Sequence, residues 1–147
     1  MAAELNAVQN ALAAEHAAVY GYGVVGAHLN GAARQGALDA FDSHRYRRDQ
    51  LRQLVIAAGG DPVAAEPAYQ LPFPVRDARA AVALASHLES AAAGAYAELV
   101  AAATGADRRF AAQALQGAAV RAARWGGTST AFPGLPNRSP TPTPSPR

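Results

Sequence analysis

The sequence contains neither cysteine nor lysine, and aromatic residues make up only 7% of it. Without cysteine, the protein cannot form disulfides, zinc–thiolate sites or iron–sulfur clusters, and thiol catalysis is excluded. Stretches that alternate β-branched and polar residues are also missing, so we predict no β-sheet. The composition therefore points to an all-α protein.

Long apolar runs are absent as well. Polar residues interrupt the first ten positions, and the longest alanine-rich segment carries His87, Glu89 and Glu98. Neither region matches a signal peptide or a membrane-spanning helix. We therefore expect a protein with no membrane partner, located in the cytoplasm.

The net charge of +2 and the pI of about 9.4 suggest nucleic-acid binding at first sight. However, arginines and acidic residues balance within residues 1–125, and the surplus comes from Arg138 and Arg147. Binding to nucleic acid requires a dense basic face. The run from His44 to Arg52 is spread around a helix and interrupted by Asp49. We expect no nucleic-acid partner.

Alanine dominates the sequence, and it is the best helix-forming residue. Apolar residues recur at three- and four-residue spacing, which indicates amphipathic helices. Turn signals at Asn30-Gly31, Gly59-Gly60, Thr104-Gly105 and Gly126-Gly127 separate them. We predict a four-helix bundle with helices at Glu4–Leu29, Ala33–Ala58, Asp77–Ala103 and Asp107–Trp125.

Residues 59–75 form an unusually long connection between the second and third predicted helices. Its prolines alternate with apolar residues such as Tyr69, Leu71 and Phe73, which favours an ordered strap along the bundle. Such a strap can cross from one end of the bundle to the other. We assign residues 1–136 to the bundle, with Phe132–Pro136 folding back onto it, and residues 137–147 to a disordered Pro/Ser/Thr-rich tail.

Each predicted helix places one ionisable residue on its apolar face. Helical rise puts Glu89 level with Arg121, and Glu15 level with Arg47 and close to His44. We expect Arg121 to pair with Glu89, and Arg47 or Arg48 to pair with Glu15. The polar tips of the core aromatics should meet this layer, namely Tyr22, Tyr96 and Trp125.

The same residues invite comparison with di-iron bundles. Those proteins use one Glu on each of two helices and a Glu-x-x-His pair on each of the other two. Here the pair on the second helix reads Phe41-Asp42-Ser43-His44, and the pair on the fourth reads Ala118-Ala119-Val120-Arg121. Two carboxylates and one histidine are missing. An arginine keeps its positive charge in proteins, and it would replace a metal ion in this layer.

Four stretches resemble a bacterial ferritin-like domain family of unknown function. They are Ala14–Gly23, His44–Asp49, Arg121–Trp125 and Phe132–Pro136. The resemblance covers residues 4–136 and implies a ferritin-like four-helix bundle with one long crossover between helices 2 and 3. It implies no reaction, because the family has none assigned.

Three functions remain open at this point. The leading interpretation is a binding or interaction protein, without a cofactor or catalytic residues, which could form a homodimer. The alternative is a metal-dependent oxidoreductase or metal-binding protein, in which Glu15, His44 and Glu89 hold iron or another divalent metal. A third class binds an unknown acidic small molecule through Arg121 and Arg48.

Two further expectations concern histidines and glycines outside this layer. His16, His28 and His87 lie off the apolar stripes, so we expect them to be solvated. The glycines at 21, 23 and 26 cost helix stability but allow close backbone approach, so we interpret them as a packing seam.

Overall fold

The computed structural model describes residues 2–126 as four long helices. They are α1 (Ala2–Ala27), α2 (Gly31–Ala57), α3 (Ala78–Ala102) and α4 (Gly105–Arg124). The predicted four-helix, all-α fold is confirmed, and each boundary lies within three residues of its prediction. The predicted tail and the predicted fold-back of Phe132–Pro136 lie outside the described residues. Among residues 2–126, no helix combines the length and the apolar character needed to cross a membrane.

Short connections join α1 to α2 and α3 to α4, so each of these pairs forms an antiparallel hairpin. Asp77 is the N-cap of α3, as predicted, and its side chain accepts a hydrogen bond of 2.8 Å from the Ala80 amide. This cap satisfies one of the free amides at the start of the helix. The two hairpins meet where α1 packs against α3.

The connection from Ala58 to Asp77 is the predicted strap, and it runs along α1. Near the start of α1, Gln9 donates to the Asp61 carbonyl at 2.7 Å and accepts from the Val63 amide at 2.9 Å. Further along, the rings of Tyr20 and Tyr69 lie 5.5 Å apart. The strap therefore climbs from one end of the bundle to the other, and α3 runs in the same direction as α2.

The strap also explains a wrong prediction about a histidine. His16 is 6% exposed, and its Nε2 donates to the Val63 carbonyl at 3.0 Å. It lies off the apolar stripe of α1, but the strap covers that side of the helix. His28 is half-buried and bonds to the Val24 carbonyl, whereas His87 is exposed as expected.

The apolar core consists of two large clusters and a small third one on α3 and α4. One large cluster surrounds Leu12, Leu51 and Leu99, and the other surrounds Val25 and Leu84. Three fully buried polar side chains, each from a different helix, lie between the two large clusters along the bundle axis: Glu15, His44 and Glu89. The bundle therefore carries a polar layer across its middle.

Only one of the three α1 glycines makes the predicted close contact. A Cβ at Gly21 would lie 2.5 Å from Cδ1 of Leu88 on α3, whereas at Gly23 or Gly26 it would meet nothing within 4 Å. The predicted packing seam is therefore wrong for Gly23 and Gly26. A side chain at either position would extend into open space and would not contact another helix.

This difference predicts opposite effects for two alanine substitutions. Gly21→Ala should lower the free energy of unfolding by about 1–2 kcal/mol, because overpacking outweighs the gain in helix propensity. Gly23→Ala is the matched control, and it should raise that free energy by about 0.5–1 kcal/mol. Urea denaturation of both variants measures the difference. Equal stabilisation by both would contradict the close contact with Leu88.

Candidate functional site

The polar layer is a hydrogen-bonded cluster with His44 at its centre. His44 Nδ1 lies 2.5 Å from Oε2 of Glu15, and His44 Nε2 lies 3.0 Å from Oε1 of Glu89. The imidazole therefore links α2 to carboxylates on both α1 and α3. A neutral imidazole has one donor nitrogen, whereas an imidazolium has two. Two carboxylate partners favour the doubly protonated ring.

Arg121 adds a second cation from α4. Its Nε donates to Oε1 of Glu89 at 2.8 Å, which confirms the predicted pair. The Arg121 side chain is 19% exposed, whereas the side chains of Glu15, His44 and Glu89 are at most 1% exposed. Water therefore reaches the cluster at Arg121.

Aromatic side chains complete the cluster, as the sequence predicts. Tyr96 donates to Oε1 of Glu15 at 2.5 Å, and Tyr22 donates to Oε1 of Glu89 at 2.6 Å. The indole of Trp125 donates in turn to the Tyr22 hydroxyl at 2.9 Å. Burial raises the pKa of both tyrosines, and the nearby carboxylates raise it further. Both hydroxyls therefore stay protonated and act as donors.

Opposite influences act on the pKa of His44. Burial lowers it, because desolvation disfavours the charged ring, but the hydrogen bonds to Glu15 and Glu89 and their negative charges raise it to about 9. For Glu89, burial raises the pKa, but His44 and Arg121 lower it below its ordinary value overall. His44 is therefore a cation and Glu89 an anion at neutral pH.

Counted as formal charges, the carboxylates of Glu15 and Glu89 balance the basic groups of His44 and Arg121. Neutrality offsets much of the cost of burying charge, provided that the hydrogen bonds are made. One atom lacks a partner among the described residues: Oε2 of Glu89 is buried and unbonded. The three other carboxylate oxygens of the cluster each accept at least one hydrogen bond.

The predicted partner of Glu15 is wrong. Arg47 lies instead over the ring of Phe110 on α4, 5.7 Å from its centroid, and Arg48 bonds to its neighbour Asp49. Arg47 would lie level with Glu15 if the first turn centred on Gly31, but the chain reverses nearer to Leu29. This shift of three residues on α2 brings His44, and not Arg47, level with Glu15.

Beside the cluster, a groove of about 790 Å³ separates α2 from α4. Small residues of α2, such as Gly36 and Ala40, line one side, and Val120, Arg121 and Trp125 of α4 line the other. Arg48 does not line this groove, so the groove does not bring Arg121 and Arg48 together around an acidic ligand. The sequence analysis gave no sign of the groove, because it depends on the spacing between the two helices.

The comparisons with known proteins establish a family but no activity. The model for a domain of unknown function, DUF4439, matches residues 7–137, and the chain belongs to this family. The fold is similar to the crystal structure of a conserved hypothetical protein, rv2844, from Mycobacterium tuberculosis. The two chains share 40% identity with a TM-score of 0.82, over 85% of this chain and 96% of that one. Nothing among the curated proteins matches the chain.

Proposed function

We propose that this member of the DUF4439 family is a ferritin-like bundle that acts by binding and not by metal catalysis. The observation that carries the proposal is the position of His44 and Arg121 between and beside the two buried carboxylates. These side chains supply positive charge in the layer where di-iron bundles hold metal ions. The parallel course of α2 and α3, joined by a long strap, supports the ferritin-like assignment.

The donor set does not fit a di-metal centre. Such a centre uses four carboxylates and two histidines, whereas this layer offers Glu15, Glu89 and His44. Both ring nitrogens of His44 already face carboxylates, and a ligand nitrogen must first lose its proton. The charge of Arg121 also opposes a cation at Glu89. Among residues 2–126, no three acidic or histidine side chains are arranged to hold a metal ion.

The alternative is a protein in which Glu15, His44 and Glu89 rearrange to hold a single metal ion. The unbonded Oε2 of Glu89 favours it, because a buried oxygen without a partner is unusual. Binding would require His44 to give up a proton and at least one of its carboxylate bonds. We therefore place this alternative second.

Metal analysis of the purified protein separates the two proposals. After growth with added iron, manganese and zinc, we expect substoichiometric metal and an unfolding temperature that a chelator leaves unchanged. Glu89→Gln serves as the matched control, because it removes the candidate ligand charge. Stoichiometric metal that is lost in Glu89→Gln, together with a lower unfolding temperature after chelation, would overturn the binding proposal in favour of the alternative.

The proposal includes a homodimer located in the cytoplasm. Exposed apolar residues on α2 support an interaction face: Leu38 is 45% exposed and Ile56 is 51% exposed. They are separated by five helical turns at 3.6 residues per turn, so they lie on one side of the helix. Light scattering coupled to gel filtration measures the mass, and a monomer at micromolar concentration would contradict the dimer.

A further inference from the structure

The groove between α2 and α4 is the one open side of the polar layer in the described part of the chain. The other neighbouring helices pack closely, namely α1 with α2, α1 with α3, and α3 with α4. On α2 the groove is lined mainly by small residues, which leave a space that the α4 side chains do not fill. Trp125 and the exposed Val120 stand on its α4 side.

The charges in the groove do not favour an anionic ligand. Arg121 is already paired with Glu89, and the lining places the acidic Asp39 on α2 opposite the basic Arg124 on α4. The lining therefore has little net positive charge. Its apolar surface comes from Gly36, Ala40, Val120 and Trp125. This chemistry suits a short apolar segment of polypeptide better than a phosphate or a carboxylate.

Such a segment follows directly in the sequence. The described chain leaves α4 beside the groove at Trp125 and Gly126, and Gly126 has φ +92°, a left-handed conformation that lets the chain turn away from the helix axis. The five residues that follow can span up to about 18 Å. The groove-lining part of α4, from Gln113 to Trp125, is also about 18 Å long. Phe132–Pro136 is therefore within reach of the groove.

The composition and the family match both support this occupant. Phe132 and Leu135 are large and apolar, and Pro133 and Pro136 reduce the entropy that ordering the segment would cost. The family model extends to residue 137, so this segment belongs to the shared domain. A tethered segment also has a high effective concentration, near millimolar for a short linker, which favours it over a second molecule.

We propose that Phe132–Pro136 of the same chain docks in the groove between α2 and α4. There it covers Trp125 and the exposed edge of Arg121. The C-terminal segment is then a fifth structural element of the domain.

The single tryptophan of the protein, Trp125, reports on this contact. Quenching of its fluorescence by acrylamide is compared between the full chain and a variant carrying Phe132→Ser and Leu135→Ser. We expect quenching to increase about twofold or more in the variant, because the indole loses its cover and opens to solvent. A truncation after Asn137 is the matched control, and it should quench like the full chain. Equal quenching in the full chain and the double variant would overturn the proposal.

A second measurement identifies which molecule supplies the segment. Because the chain lacks cysteine, Asn137→Cys can carry a single nitroxide label. We expect the label to broaden the amide signals of Gly36 and Val120 but not that of Gly23 on α1. Broadening of the same signals in an isotope-labelled chain without nitroxide, when it is mixed with nitroxide-labelled chain, would show that a second copy fills the groove, and it would overturn docking within one chain.

Discussion

Glu89→Leu should lower the free energy of unfolding by about 3–5 kcal/mol, which is the usual cost of breaking a buried ion pair. Oε1 of Glu89 accepts hydrogen bonds from Tyr22, His44 and Arg121. Removing the carboxylate leaves two cations in the layer with Glu15 as the remaining anion. Urea denaturation near pH 6 measures the loss.

Glu98→Leu is the matched control for this variant. Glu98 lies on the same helix but is exposed, so its replacement should change stability by no more than about 0.5 kcal/mol. Adding Arg121→Met to Glu89→Leu should recover part of the loss, because one stranded cation is removed with its partner. Equal losses in Glu89→Leu and Glu98→Leu would show that the cluster contributes nothing to stability.

The second large effect concerns His44 and pH. Its pKa rises from 6.5 in the unfolded chain to about 9 in the bundle, so the folded state holds the proton more tightly. The resulting stabilisation is complete below pH 6.5 and is lost as the pH rises through 9. The expected loss over this window is about 3 kcal/mol. Glu89 acts in the opposite direction, because its lowered pKa gives stability that is lost in acid, below about pH 4.5.

His44→Leu should remove this alkaline response, because no imidazole titrates in the layer. It should also cost about 3–5 kcal/mol near pH 6, since Glu15 keeps only its bond to Tyr96 and Glu89 keeps Arg121 and Tyr22. His87→Gln, which changes an exposed histidine, is the control and should keep the alkaline loss of wild type. The measurement is urea denaturation of all three proteins from pH 5.5 to 9.5. An unchanged pH profile in His44→Leu would contradict a charged His44.

The fold was predictable because local signals and apolar periodicity agree throughout the chain. Glycine-containing turns separate the helices, and the apolar spacing within each helix matches 3.6 residues per turn. The pair Glu89–Arg121 was also predictable, since the tight turn around Gly105 fixes the register of α3 against α4. Apolar spacing and turn positions therefore predicted the polar layer, with α1, α3 and α4 in register and α2 displaced along its axis.

The remaining errors arise from geometry that periodicity does not encode. The register of α2 against α1 depends on where the chain reverses, and a shift of three residues exchanged Arg47 for His44 as the partner of Glu15. The burial of His16 depends on which side of α1 the strap covers. The groove depends on how far α2 stands from α4, and the small size of Gly36 and Ala40 sets that distance only once the other helices are in place.

The strap also decides where this protein can be divided. Residues 64–68 are exposed, and a break there leaves the hairpins α1–α2 and α3–α4 intact as two fragments. One fragment carries Glu15 and His44, the other carries Glu89 and Arg121, so each half brings one acid and one base to the joint. Reassociation of the two fragments then depends on burying these four groups together. The bundle is therefore a starting point for a two-fragment complementation reporter.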